Sequence, residues 1–204
     1  MNKKILLLTI LLLVSFSGFS QVRFMLGLSG SPNIAVGTFA SQGGVSYGTY
    51  SPGFSIGGGV DVGLSLGKRF FILTGLERMN RKYSFQQSGY PVTFTEIDRS
   101  WEIPLLANFI LSHDPESTVN CILTAGFIGG NINAVSDGTL TISSGISNPG
   151  YLDAALGVGA KINFNENLSL MLLPNIRYQL TNANYNTIYT ASLRTMLIYT
   201  FGQR

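Results

Sequence analysis

The sequence contains few charged residues and, beyond its N-terminus, no long apolar run. Asp, Glu, Lys and Arg make up 11% of the 204 residues, whereas soluble domains contain about 25%. The mean hydropathy is nevertheless positive, at +0.27. After residue 20, no apolar run approaches the roughly 20 residues that a membrane-spanning helix needs. This composition is typical of a membrane β-barrel, whose apolar residues occupy alternate strand positions.

Cysteine and histidine each occur once, which limits the chemistry of the chain. Cys121 has no second cysteine with which to form an internal disulfide. His113, followed by Asp114 and Pro115, falls in a predicted turn, so no serine has a candidate histidine base at the far end of the predicted barrel. No His or Cys cluster suits a metal ion. We expect no enzymatic activity, no cofactor and no metal site, and a Ser–Lys or Asp–Asp arrangement stays open.

The N-terminus has the three parts of a secretory signal peptide. MNKK provides positive charge, and residues 5–16 form a short apolar segment. Gly18 and Ser20 are small residues placed for cleavage before Gln21. We therefore predict that residues 1–20 are a signal peptide.

The remaining residues, 21–204, are predicted to form a single barrel domain. Without Lys3 and Lys4 this part contains 11 basic and 10 acidic residues. So small a net charge gives no reason to expect nucleic acid as a partner.

Apolar and polar residues alternate along this domain, as in β-strands with two different faces. In the stretch WEIPLLANFIL, from Trp101 to Leu111, every second residue is apolar, and Glu102, Pro104 and Asn108 lie on the other face. Pro104 and Pro174 lack a ladder donor, so we expect a bulge or a lost hydrogen bond at each. Eight strands are predicted, at residues 22–30, 53–67, 70–80, 101–111, 118–130, 151–164, 168–180 and 189–201.

The third predicted strand has the least regular pattern. If Glu77 faces the interior, then Ile72, Thr74 and Leu76 face outward, but Phe71 and Leu73 then fall on the inner face.

Connections between the predicted strands alternate in length. Those after strands two, four and six are short, and those after strands one, three, five and seven are longer. Outer-membrane barrels have short periplasmic turns and longer extracellular loops. We therefore predict an all-β fold, an eight-stranded antiparallel up-and-down transmembrane β-barrel, with both mature termini in the periplasm. A soluble barrel of the lipocalin type is the alternative, but it would place its polar face outside.

Aromatic residues occur near both ends of the predicted strands, where interfacial girdles form in membrane barrels. We expect one girdle at the periplasmic end and another at the opposite end. The first comprises Phe70, Phe109, Phe164, Tyr199 and Phe201, and the second Phe54, Trp101, Tyr151 and Tyr178.

Charged residues within the strands fall on the face predicted to line the lumen. An eight-stranded barrel is just wide enough for side chains to fill it, so we interpret these charges as an ion-pair network that closes the barrel. A narrow or gated polar pore is the alternative, favoured by the inward-facing glycines. The predicted network comprises Arg23, Asp61, Glu102, Asp153, Lys161, Arg177 and Arg194, with Glu77 as a further candidate.

The second long loop, residues 81–99, differs from the others because it is charged and aromatic. We expect it to continue the third and fourth strands as a hairpin and to be the first place where a partner would bind. Its candidate binding residues are Arg81, Lys82, Tyr83, Phe85, Tyr90, Phe94, Asp98 and Arg99.

Four segments, in order, resemble the PorT-like family of outer-membrane β-barrel proteins. They are SWEIPLLANFIL, ILTAGFIGG, LDAALGVGAKINF and NIRYQLTN. The chain departs from the family pattern at Phe127, where proline is frequent, and in ERMNRKY of strand three. The resemblance implies an eight-stranded barrel in the outer membrane of a Gram-negative cell and implies little about activity.

These observations together predict a non-enzymatic outer-membrane protein. We expect an accessory or structural component of an envelope complex for secretion, assembly or uptake, with outer-membrane lipid and a larger protein complex as partners. A narrow channel or small-ligand transport protein is the first alternative. A lipid-modifying enzyme is the second.

Overall fold

The computed structural model describes residues 22–39, 49–86, 93–137, 150–181 and 186–202. The predicted signal peptide and Tyr90 lie outside the described residues. The backbone of Tyr83, Phe85 and Phe94 is described, but their side chains are not.

Eight antiparallel strands close into a barrel in which each strand pairs with its neighbours in sequence and the last pairs with the first. The predicted eight-stranded up-and-down transmembrane barrel is therefore confirmed. No helix among the described residues is long and apolar enough to cross a membrane. The strands are β1 Val22–Phe39, β2 Thr49–Leu66, β3 Phe70–Gln86, β4 Thr93–Ile110, β5 Val119–Asp137, β6 Gly150–Asn163, β7 Leu168–Gln179 and β8 Asn186–Thr200.

Several strands are longer than predicted, because apolar alternation stops before strand pairing does. Strand β1 was predicted to end at Gly30 but continues to Phe39. Strands β3 and β4 pair as far as Gln86 and Thr93, which confirms that this hairpin continues beyond the apolar region. Backbone hydrogen bonds are sufficient to extend a ladder where the side chains no longer alternate.

The three short turns and both ends of the described chain lie at the same end of the barrel. The turns span residues 67–69, 111–118 and 164–167. Gly67 adopts a φ of 100°, a conformation that favours glycine. At the same end, the backbone N–H of Phe201 donates to the carbonyl of Phe24 at 2.8 Å, which joins the last residues to the first strand.

The outer surface of the barrel is apolar and its interior is partly polar. Outward-facing Leu28 and Ile176 are about two-thirds exposed, whereas inward-facing Asp61, Glu102 and Arg177 are almost fully buried. A soluble barrel has the opposite arrangement. This distribution places lipid, and not water, against the middle of the outer wall.

Strand β3 has the orientation that was predicted from Glu77. Phe71 and Leu73 face the interior and are buried, while Ile72 and Leu76 face outward. The two apolar residues on the inner face therefore contribute to an internal core.

The two prolines interrupt the ladder without shifting its register. Between β3 and β4, pairing passes from Thr74–Leu105 to Glu77–Glu102, which omits the partner of Pro104. Between β6 and β7 an equivalent gap occurs beside Pro174. The predicted loss of hydrogen bonding is confirmed at both sites. The register shifts lie elsewhere, between Pro52 and Gly58 in β2 and between Arg99 and Ser100 in β4.

Aromatic side chains lie on the outer wall near both ends, with one exception to the prediction. Phe54, Trp101 and Tyr178 are outward and exposed at the end with the long connections. Tyr199 packs edge to face on Phe201 at the other end, with ring centroids 4.9 Å apart. Tyr151 was expected in the girdle, but this was wrong: it faces the lumen and is 5% exposed.

Candidate functional site

Apolar side chains fill the part of the lumen nearer the short turns. These side chains are at most 8% exposed and contact one another, so they form an apolar layer inside the barrel, mostly on the short-turn side of the buried ion pairs. They are Met25, Phe71, Leu73, Leu106, Ile110, Ile122, Ile128, Ala155, Met171, Leu173, Met196 and Ile198.

Above this apolar layer, Glu102 on β4 is the centre of a cluster of ion pairs. Nη1 of Arg177 on β7 lies 2.6 Å from Oε2 of Glu102, and Nη2 of Arg81 on β3 lies 3.0 Å from Oε1. Arg81 also reaches Oδ2 of Asp153 on β6 at 2.5 Å. Four strands are thus joined across the lumen. All four side chains are at most 3% exposed, so little solvent screens their attraction.

Tyr151 on β6 completes this cluster through both its hydroxyl and its ring. The hydroxyl donates a hydrogen bond to Oε1 of Glu102 and lies 2.8 Å from the hydroxyl oxygen of Ser100. Cζ of Arg81 lies 4.4 Å from the centroid of the ring, in a cation–π arrangement. Tyr151 therefore contacts both the carboxylate of Glu102 and the guanidinium of Arg81.

A second cluster joins β8 to β2 and β3. Nη2 of Arg194 forms ion pairs with Asp61 on β2 and Glu77 on β3, and all three side chains are buried. Nε of Arg194 also lies 3.2 Å from the sulfur of Met196 in the apolar layer. Arg177 of the first cluster and Arg194 of the second line one small cavity, so the two clusters are neighbours in the lumen.

Glycines on the inner wall leave the space that these long side chains occupy. A Cβ at Gly59 would meet the backbone and side chain of Glu77, and a Cβ at Gly130 would meet the ring of Tyr151. Between the clusters and the apolar layer lies a cavity of about 10 Å³, lined in part by Arg177, Arg194 and Leu106. A space of this size holds about one water molecule.

The structure places all seven residues of the predicted network on the inner wall, in two groups. Asp61, Glu102, Asp153, Arg177 and Arg194 are buried within the clusters described above, together with Glu77. The other two predicted members are not in these clusters. Arg23 and Lys161 are half-buried and line a cavity of about 40 Å³ at the end with the short turns.

Two residues assigned to the partner-binding loop lie inside the barrel instead. Arg81 is 2% exposed and Asp98 is 3% exposed, and they occupy directly opposed positions on β3 and β4. Their assignment to an exposed loop was wrong because the strands continue past Asn80 and both positions have inward parity. Alternation with Glu77 and Met79 was the signal in the sequence that could have placed Arg81.

The other residues of that predicted loop either face the outside of the barrel or have side chains that the structure does not describe. Lys82 and Arg99 are exposed on the outer faces of β3 and β4.

His113 is exposed in the turn after β4, where its carbonyl accepts a hydrogen bond from Nη2 of Arg69 at 2.6 Å. Within the described ranges, no group of three or more His, Cys, Asp or Glu side chains could hold a metal ion.

Comparison with models of protein families and with curated proteins gave no match. The resemblance to the PorT-like family therefore stays a prediction. Solved structures do match. The crystal structure of Neisserial surface protein A has a TM-score of 0.58 at 11% identity, over 89% of this chain and 100% of that one. That of the outer membrane protein OprG from Pseudomonas aeruginosa has a TM-score of 0.52 at 10% identity, over 89% and 96%. At such low identity these likenesses show a shared fold: this chain is a small, closed, eight-stranded β-barrel of the kind found in outer-membrane proteins.

Proposed function

We propose that this chain is a non-enzymatic integral protein of the Gram-negative outer membrane that serves as an accessory or structural component of a larger envelope complex. The observation that carries the proposal is the filled lumen. Ion pairs centred on Glu102 and Arg194 span the barrel, and an apolar layer lies beneath them. A barrel filled in this way offers its outer wall and its loops for contact.

The outer membrane is the location that the surface chemistry supports. An outward apolar face on a closed barrel requires lipid, and closed barrels satisfy their backbone hydrogen bonds without water. In the proposed orientation the short turns and both mature termini are periplasmic and the long connections are extracellular. The β3–β4 hairpin, which pairs as far as Gln86 and Thr93, is then on the extracellular side.

Affinity purification from native outer membranes tests the proposed role. The tagged chain would be isolated in a gentle detergent, and co-purifying proteins would be quantified by mass spectrometry. We expect stoichiometric recovery of a secretion, assembly or uptake component. A matched variant in which residues 87–92 are replaced by a Gly-Ser stretch of equal length should lose this component, whereas the same exchange at residues 40–48 should not. Recovery of the barrel alone from the unmodified chain would contradict the accessory role.

Conductance in planar bilayers separates the proposal from the channel alternative. Since side chains fill the described lumen, we expect no stable conductance steps from the reconstituted protein. Reproducible conductance steps from the unmodified protein, with Leu73 and Leu106 intact, would replace the accessory role with that of a narrow channel. A change in the acyl chains of outer-membrane lipids on loss of the gene would instead favour the enzyme alternative.

A further inference from the structure

Among the side chains that the structure describes, charge on the outer wall of the barrel is confined to one place. Of the outward-facing strand side chains that the structure describes, three are charged, and all three are basic. They are Arg78 and Lys82 on β3 and Arg99 on β4, which are neighbouring strands. We call these three residues the outer basic patch. Elsewhere the described outer wall is apolar or uncharged, so the patch is a local feature and not part of a charged rim.

The register of β3 and β4 brings the three residues together. Arg99 is directly opposite Asn80, which is flanked on the same face by Arg78 and Lys82. Diagonal neighbours on one face of an antiparallel pair have Cβ atoms about 7–8 Å apart. The long side chains of Arg78 and Lys82 can therefore converge with that of Arg99 on one small anionic group.

Trp101 marks the depth of the patch relative to the membrane. Cζ of Arg78 lies 5.3 Å from the centroid of the Trp101 ring, which is outward-facing and half-exposed. Tryptophan in membrane barrels concentrates at the level of the lipid headgroups. Directly toward the middle of the barrel, Leu76 and Ile103 are exposed and apolar. Basic groups, an aromatic ring and an apolar surface thus follow one another along the same two strands.

We propose that the outer basic patch binds the phosphate of an anionic lipid headgroup, while the acyl chains of the same lipid lie against Leu76 and Ile103. Guanidinium groups donate paired hydrogen bonds to phosphate oxygens, and an ammonium adds a further charge. The partner is a lipid because the groups that would contact its headgroup and its chains are contiguous on the membrane-facing wall. Which leaflet supplies the lipid rests on the orientation proposed above, whereas the binding itself rests on the transmembrane barrel alone.

Fluorescence of Trp101, the one tryptophan of the chain, offers a direct test. The full chain would be reconstituted in symmetric bilayers of phosphatidylcholine and phosphatidylglycerol. Bromine would be attached to the acyl chains of one lipid or of the other at equal mole fraction. Bromine quenches tryptophan on contact, so the two quenching ratios give the preference for the anionic lipid next to Trp101. We expect a preference of roughly fivefold, which falls as salt is raised.

Two variants with equal losses of charge make the test specific. Lys82→Gln/Arg99→Gln removes two charges from the patch and leaves Arg78 in place over Trp101. Lys68→Gln/Arg69→Gln removes two charges from a turn at the opposite end of the barrel. The preference should disappear in the first variant and persist in the second. Equal quenching by both lipids in the unmodified protein would overturn the proposal. So would a preference that survives in the patch variant or is lost in both variants.

A symmetric bilayer presents the anionic lipid on both sides, so this result does not depend on orientation. It is also independent of whether a larger complex forms, because no other protein is present. Failure of the lipid proposal and failure of the accessory role are therefore distinguishable.

Discussion

Nη1 of Arg177 lies 2.6 Å from Oε2 of Glu102, although the two residues are 75 positions apart in the sequence. Both are buried, and the pair spans the lumen from β7 to β4. Removal of one member would leave the other charge in a site with little solvent. The pair, together with Arg81, ties together strands that are not adjacent in the barrel wall, which a ladder of backbone hydrogen bonds cannot do.

Glu102→Leu should lower the free energy of unfolding by about 3–5 kcal/mol, because Arg81 and Arg177 would both lose a buried partner. Urea titration in lipid vesicles, followed by Trp101 fluorescence, measures the change. Glu116→Leu is the control. Glu116 forms an exposed ion pair with Lys68, at 3.0 Å, and its loss should change stability by less than about 1 kcal/mol. Equal unfolding midpoints for Glu102→Leu and the unmodified protein would show that the central cluster does not stabilise the barrel.

Tyr151→Phe should destabilise the barrel by about 1–3 kcal/mol, because Glu102 loses a buried hydrogen bond while the ring still faces Arg81. Tyr151→Leu should add a further loss of about 0.5–2 kcal/mol, since it also removes the cation–π contact. The same urea titration distinguishes the two steps. If Tyr151→Phe and Tyr151→Leu unfold at the same urea concentration, the ring makes no separate contribution to stability.

Gly130→Ala should lower stability by about 1–3 kcal/mol, because the added methyl group would displace the ring of Tyr151 from Glu102. The adjacent Gly129→Ala is a close control, since a Cβ there meets no atom within 4 Å. Unfolding midpoints of the two variants give the comparison. In a Tyr151→Leu background the effect of Gly130→Ala should shrink, because the two residues are in contact and their effects are not additive. Identical effects at both glycines would argue against a crowded site beside Tyr151.

Leu106→Ala should reduce the free energy of unfolding by about 2–5 kcal/mol, because it leaves a cavity in the apolar layer of the lumen. The neighbouring Leu105→Ala should have a clearly smaller effect, since lipid chains can fill the space that it leaves on the outer wall. Leu106 is 2% exposed and Leu105 is 56% exposed. Refolding titrations of both variants in the same lipid measure the difference. A larger loss at Leu105 would mean that the two faces of β4 have been assigned the wrong way round.

Much of the fold could be predicted from the sequence because strand alternation has a period of two. In β4, the pattern from Trp101 to Leu111 predicted which side chains face lipid and which face the lumen, and Glu102 lies inside accordingly. The same reasoning failed at Arg81, because apolar residues no longer occupy every second position there. The predicted third strand ended at Asn80, although β3 continues to Gln86, so a member of the central cluster fell in a predicted loop.

Composition and periodicity determined the number of strands, their order, the apolar outer wall and the inward direction of most charges. These are local properties, since each depends on residues one or two positions apart along the same strand. Closure of the barrel decided the rest. It set which carboxylate meets which arginine, brought Tyr151 onto Glu102, and stacked an apolar layer beneath the charges. Such contacts depend on strand length, register and the space left by facing glycines, so residues far apart in sequence meet only once all eight strands are in place.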